Sequence, residues 1–234
     1  MPNENLSQAE QKLLEDIATR YEESLVNVRK ITKSLPDLVE ETPLTKLVHS
    51  LRVRTKEPSH LLDKLMRKMI KSKKENTPFS ITPDNLFEKV NDLAGMRLLH
   101  LHTDQFPEIN QLLKDHLEEN GYPLLEGPIA STWDDEYKKF FEDHGIETKR
   151  SPNFYTSVHY VVGINKRSKY TAEIQVRTLA EELWGEVDHS FNYPHPCGIP
   201  ACAEQIKVLA RVTSSSTRLV DSIFRTRTSL TPQE

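Results

Sequence analysis

No apolar run in the 234 residues reaches the ~18 or more that a membrane-spanning helix needs. The opening residues, MPNENLSQAEQK, have no apolar segment of the kind that marks a secretory signal, so the cytoplasm is the expected location. Glycine is scarce at seven residues, and neither G-x-x-x-x-G-K-[ST] nor G-x-G-x-x-G occurs. A glycine-rich phosphate cradle is therefore excluded, and any phosphate must be held by side chains. Cysteine is scarcer still. Cys197 and Cys202 are separated by GIPA with His195 nearby, a step that fits no common zinc spacing. Free thiols at or near the surface are expected. Nor is there an excess of positive charge: the net charge of −4 gives no global attraction to nucleic acid.

The charge that is present is unevenly placed. Arg52 to Lys74 is strongly basic, and Asp134 to Glu147 is rich in acid. Periodicity in between predicts an α+β fold: a mixed five-stranded sheet flanked by helices, with long N- and C-terminal helices. The chain reads as one domain over 1–234, with a core at about 40–195 and helical extensions at 5–35 and 202–228. In the first extension Leu13, Leu14, Ile17, Tyr21, Leu25 and Val28 recur at helical spacing. Further helices are expected at 59–74, 84–94, 104–119, 134–143 and 179–193, the last broken by Pro194 and Pro196. Strands are expected at 96–102, 122–125, 146–150, 155–164 and 170–177. The polar step Asn165-Lys166-Arg167-Ser168 predicts an antiparallel hairpin between the last two.

Three groups of residues carry chemical potential. Alternation along that hairpin puts Tyr155, Ser157, His159, Glu173, Gln175 and Arg177 on one sheet face, opposite the apolar Val158, Tyr160, Ile174 and Val176. Such a face is either ordinary solvated surface or a polar site. Second, Asp92 precedes a strand at Asp92-Leu93-Ala94-Gly95-Met96-Arg97, where a carboxylate can hold Mg²⁺ and Arg97 can reach phosphate. Third, His60, Lys64, Arg67 and Lys71 line one face of a helix, preceded by Arg52, Arg54 and Lys56. A charge stripe is usually only solvated surface. Here the opposite face is apolar, and arginine forks with lysine point charges suit a polyphosphate.

In this order and at this spacing the segments resemble the synthetase domain of RelA/SpoT proteins, especially the small stand-alone alarmone synthetases. The likeness runs from about Arg54 to Tyr193. It is carried by Arg54, Lys56, His60, Lys64 and Arg67, by Asp92 to Arg97, by Ser151 to His159, by Glu173 to Thr178, and by Trp184, His189 and Tyr193. The resemblance implies a nucleotidyltransferase-like synthetase domain that moves pyrophosphate from ATP to the 3′-hydroxyl of GDP or GTP. It implies that Asp92 and Glu173 hold Mg²⁺, with Glu173 also accepting the hydroxyl proton. Arg54, Lys56, His60, Lys64, Arg67 and Arg97 would bind ATP. Asn153, Tyr155, Ser157, His159, Gln175, Arg177 and His189 would bind the acceptor, with Tyr155 stacked on its base.

Three positions depart from the family pattern. Phe154 stands for the loop glycine, Ser151 for the loop lysine and His60 for a serine. The first two bear on the acceptor. Alternatives therefore stay open: a toxin-type relative acting on the 3′ end of tRNA or on adenine nucleotides, with an antitoxin as partner, or an inactive nucleotide- or RNA-binding copy. The leading His-Asp site of a hydrolase domain is not found, so synthesis alone is expected. The terminal helices are long enough for homo-oligomer contacts.

Overall fold

The computed structural model describes residues 6–40, 42–165, 167–193 and 196–230. Lys166 of the expected hairpin turn, Pro194, expected to break the helix, and His195 beside the two cysteines lie outside the described residues.

The chain opens with α1 (Gln8–Ser34), capped by Ser7 in a reciprocal exchange with Glu10. This exchange satisfies two of the otherwise orphaned N–H groups of its first turn. Its buried stripe includes Leu14, Ile17, Tyr21, Val28 and Ile31. Next come β1 (Ser50–Thr55), α2 (Pro58–Lys74), the single turn α3 (Leu86–Lys89), β2 (Ala94–His100) and α4 (Phe106–Glu119). The second half runs β3 (Leu124–Thr132), α5 (Asp135–Asp143), β4 (Glu147–Arg150), β5 (Ser157–Gly163), β6 (Thr171–Thr178), α6 (Leu179–Asn192) and α7 (Pro200–Leu230). Among the described residues no helix is long and apolar enough to cross a membrane.

The sheet is mixed, as expected, but has six strands and not five, in the order β1-β2-β6-β5-β3-β4. The added strand is β1. It pairs antiparallel with β2, while β2 runs parallel to β6 and β5–β6 form the expected antiparallel pair. The expected helix at 84–94 shortens to one turn because Val90 turns extended. The Leu93 carbonyl then accepts from the backbone N–H of Lys56, so Asp92 is fixed at the mouth of β2.

Register decides what shares a face. Arg52, Arg97, Gln175 and His159 form one cross-strand row, and Arg54, Gly95, Glu173 and Val161 form the next. The opposite face is core: Met96, Leu98, Val158, Tyr160, Ile174 and Val176 are all buried. That burial lets the polar row stand on a rigid floor. Helices α6 and α7 pack on each other, with Trp184 buried and its indole N–H donating to the Ile206 carbonyl at 3.0 Å. The far end of α7 is tied to the loop after β2, where Asp221 accepts from His102 Nδ1 and the Asp104 N–H, and Arg225 forks onto Asp104.

Candidate active site

Asp92 sits between two lysines. Lys56 Nζ lies 2.9 Å from Oδ2 and Lys64 Nζ 2.7 Å from Oδ1. Burial alone would raise its pKa, but these two cations win and hold the carboxyl down to about 2. Glu173 lies two strands from the β1 edge of the sheet. Burial pushes its pKa up, yet His159 Nδ1 at 3.0 Å and the Gln175 amide at 2.7 Å pull it below the usual range. The two carboxylates open onto one cavity of about 390 Å³, shared with Lys64, Lys68, Lys89, Lys149, Tyr155 and His159. Each therefore feels the other's charge. Ionised oxygen donors facing one space are the hard-ligand set that Mg²⁺ takes with substrate phosphates.

On one side of this pair is a cleft of about 670 Å³ walled by cations. Arg54, Lys56, His60, Lys64, Arg67 and Arg97 all line it, so all six residues read as ATP-binding come together. Lys71, Lys68 and Arg52 join them. Three turns of α2 supply this wall because Leu61, Leu65 and Met69 are buried on its other face. Gly95 lies beside this wall, and a Cβ there would make ordinary contacts with the Glu173 carbonyl oxygen at 3.4 Å and the Arg54 side chain at 3.8 Å.

On the other side is a cleft of about 630 Å³ lined by Asn153, Phe154, Tyr155, Gln175, Arg177, His189 and Tyr193, with Arg67 and Arg97 at the border. Five of the seven residues read as acceptor-binding are on this wall: Asn153, Tyr155, Gln175, Arg177 and His189. His159 faces the carboxylate cavity instead. Ser157 reaches neither cleft. It is buried at 1% exposure, its hydroxyl donates to the Val176 carbonyl, and it lines a small inner cavity beside Glu181. Phe106 of α4 and Tyr137 and Phe141 of α5 close that cavity with it. Tyr155 stands just before β5, its ring under the Arg177 guanidinium at 5.5 Å and 5.8 Å from His159. Phe154, on the same wall, packs against Trp133 at 4.9 Å and carries the Arg211 guanidinium over its ring at 5.4 Å. Tyr193 is stacked on His189 at 4.4 Å and carries Arg67 over its ring at 5.1 Å. Cys197 is exposed and Cys202 half-buried, both as free thiols.

Sequence reasoning missed two carboxylates that bind the arginines. From α6, Glu182 accepts from Arg52 and Arg97, at 2.9 and 3.0 Å, and from Arg177. Glu186, one turn on, accepts from Arg97 at 2.6 Å. Arg97 therefore lies between two carboxylates. No local pattern reveals this, since the partners are distant in the chain; only the i, i+4 spacing of two glutamates on the helix after β6 hints at it.

The profile of the region found in RelA / SpoT proteins matches residues 53–197. Among curated proteins, the GTP pyrophosphokinase YjbM of Bacillus subtilis is 24% identical over 213 residues, covering 88% of this chain and 85% of that one. The GTP pyrophosphokinase YwaC of the same organism is 25% identical over 171 residues, 70% and 68% of the two chains. Small alarmone synthetase 2 of B. subtilis shares the fold at a TM-score of 0.62 and 18% identity, over 88% of this chain and 98% of the other. Small alarmone synthetase 1, solved with its product pppGpp, follows at 0.60 and 17%, over 89% and 98%. The matched region holds Asp92, Glu173 and most residues of the cation-lined and tyrosine-bearing clefts, and the chain belongs to the RelA/SpoT family.

Proposed function

We propose that the chain is an ATP-dependent pyrophosphokinase that transfers the β,γ-pyrophosphoryl group of ATP to the 3′-hydroxyl of GDP or GTP. The observation that carries this reading is the placement of two ionised carboxylates, Asp92 and Glu173, on one cavity between a cationic cleft and an aromatic, amide-bearing cleft. The curated relatives YjbM and YwaC are named as GTP pyrophosphokinases. The solved relatives include one synthetase bound to pppGpp and the same protein bound to AMPCPP.

In this reading Lys56, Lys64, Arg54 and Arg67 hold the polyphosphate of ATP in the cationic cleft. Asp92 and Glu173 are the groups that would hold Mg²⁺, which supplies charge neutralisation at the reacting phosphates. Tyr155 stacks on the acceptor base, and Asn153, exposed at the rim, reads its edge. The acceptor 3′-oxygen bonds to the β-phosphorus of ATP, the bond from that phosphorus to the α,β-bridging oxygen breaks, and AMP leaves. Glu173, kept ionised by His159 and Gln175, takes the proton of the attacking hydroxyl. Positioning and charge are enough for such a transfer, and no covalent intermediate is required. Lys56 and Lys64 exchange Asp92 for phosphate when ATP enters.

The test is labelled ATP with Mg²⁺, incubated in parallel with GDP, GTP, ATP and deacylated tRNA. AMP release with transfer of label to GDP or GTP is expected. AMP release only with tRNA or ATP would move the acceptor to the toxin-type alternatives. No AMP with any acceptor would leave a binding copy. Asp92→Ala and Glu173→Ala should each abolish transfer at near-unchanged melting temperature.

A further inference from the structure

We propose that Glu182 is a positioning residue that couples the two substrate clefts, an assignment that rests on the pyrophosphokinase reading above. Its carboxylate is the common partner of three arginines from three different strands. Oε1 accepts from Arg52 of β1 at 2.9 Å and from Arg97 of β2 at 3.0 Å, and Oε2 accepts from Arg177 of β6. The three differ in what they face. Of these two clefts, Arg52 lines the cationic one and Arg177 the Tyr155 one, whereas Arg97 borders both. Glu182 itself lines neither. It is buried behind them, its side chain 9% exposed, and so touches substrate on neither side.

The arrangement answers a physical problem. Three guanidinium groups drawn to one point of a sheet repel one another, and each must also stay aimed at a ligand. A buried carboxylate between them offsets the repulsion and fixes their planes by charge-assisted bonds. Arg177 depends on it most, since its side chain is only 3% exposed and an uncompensated buried charge is costly. Glu182 is in turn held by the fold. Thr178 caps α6 by accepting from the Glu181 N–H at 3.2 Å, which sets the first helical turn directly after the strand that carries Arg177. Glu186 overlaps with this role only in part: its side chain is 46% exposed and pairs with Arg52 and Arg97, whereas Glu182 is the carboxylate that also bonds Arg177. A shift of any one arginine is therefore passed through Glu182 to the other cleft.

The experiment is a double-mutant cycle on the full chain, read by transfer kinetics with ATP and GDP and by calorimetric binding of GDP. Arg52→Ala removes a group that GDP does not face, yet it should raise the KM and Kd for GDP at least threefold. In the Glu182→Gln background the same substitution should change them by less than 1.5-fold. Glu182→Gln alone should lower kcat at least tenfold and shift the GDP KM. Should Glu182→Gln not fold, the cycle is run with Glu182→Asp, which keeps the charge one methylene short and should leave less than half of the cross-effect on a logarithmic scale. The proposal is overturned if Arg52→Ala leaves GDP binding as in wild type, or if its effect is equal in both backgrounds. It is also overturned if Glu182→Gln lowers only the folded fraction, with both KM values unchanged. Absence of transfer by the wild type would instead count against the pyrophosphokinase reading. The binding arm needs no turnover, and failure of the wild type to bind GDP at all would sink both.

Discussion

At the scale of single residues, Gly185 shows how closely the wall of the Tyr155 cleft is packed. A Cβ at this helical position would come within 2.9 Å of Arg177 Nη1. Arg177 can yield only toward the Tyr155 cleft that it lines, and that movement pulls it off Glu182, to which it is bound. Gly185→Ala should therefore displace the guanidinium while favouring the helix itself by roughly 1 kcal/mol. The expected outcome is transfer reduced at least tenfold with a helix signal in circular dichroism equal to or above wild type. Unchanged transfer would mean that Arg177 can move without consequence. Tyr155 makes the complementary case. Stacking on a base is worth roughly 1–3 kcal/mol by alanine substitution, so Tyr155→Ala should raise the acceptor KM strongly. Its hydroxyl makes a long 3.4 Å contact to Gln175 and also reaches Ser157, neither of which touches the base, so Tyr155→Phe should keep most activity. Steady-state kinetics of the two variants separates stacking from a packing role, because loss of packing alone would appear as a lower melting temperature with an unchanged KM.

At the scale of elements, α2 is the clearest test of the cationic cleft. Lys64 and Arg67 project from it into the cleft while Leu61, Leu65 and Met69 anchor it from behind. Replacing both cations by Ala removes two charge-assisted partners worth roughly 1.5–3 kcal/mol each. ATP binding measured by calorimetry should weaken at least tenfold, with little change in stability; an unchanged Kd would reduce the stripe to solvated surface. The helical faces that carry this argument were legible in the sequence because a 3.6-residue period in Leu61, Leu65 and Met69 survives any tertiary context. The β5–β6 pair was legible too, since one face is core and the alternation is clean. Other elements were not. In β1 the alternation of Leu51 and Val53 with Arg52 and Arg54 is present, but an edge strand leaves Val53 39% exposed, and the arginines read as part of the basic run ahead of α2. In β3 the register shifts between Leu124, Glu126 and Ile129 break the period, so only its first residues looked strand-like. Within the candidate site, Asp92, Glu173 and the cations were visible as motif residues. Glu182 and Glu186 were not, because their meaning lies in partners on β1 and β2 that no local spacing encodes.

At the scale of the whole molecule, two buried groups contribute opposing slopes to the dependence of stability on pH. His100 is fully enclosed with its Nδ1 on the His102 carbonyl, and burial pulls its pKa down from 6.5 to about 4. Glu181 lies at the inner cavity behind Arg177; burial pushes its pKa up from 4.5 to about 8, with Arg177 pulling the other way and Asp134 adding to the rise. The signs follow from which state holds more protons. Between pH 4 and 6.5 the unfolded chain protonates His100 and the folded one does not, so this group makes stability rise with pH. Between pH 4.5 and 8 the folded chain keeps Glu181 protonated and the unfolded one does not, so this group makes stability fall with pH. From 4.5 to 6.5 the two slopes oppose each other, and from 6.5 to 8 Glu181 acts alone. Its contribution there is a fall of roughly 1.4 kcal/mol per pH unit. Glu181→Gln keeps the shape of the protonated acid and removes the titration. Denaturant unfolding at pH 6.5 and 8 should show wild type losing stability across that interval and Glu181→Gln holding nearly constant. The variant should therefore be the more stable protein at pH 8 and close to wild type at pH 5. Parallel curves for the two proteins would show that Glu181 titrates as an ordinary carboxylate and that the cavity behind Arg177 accepts its charge.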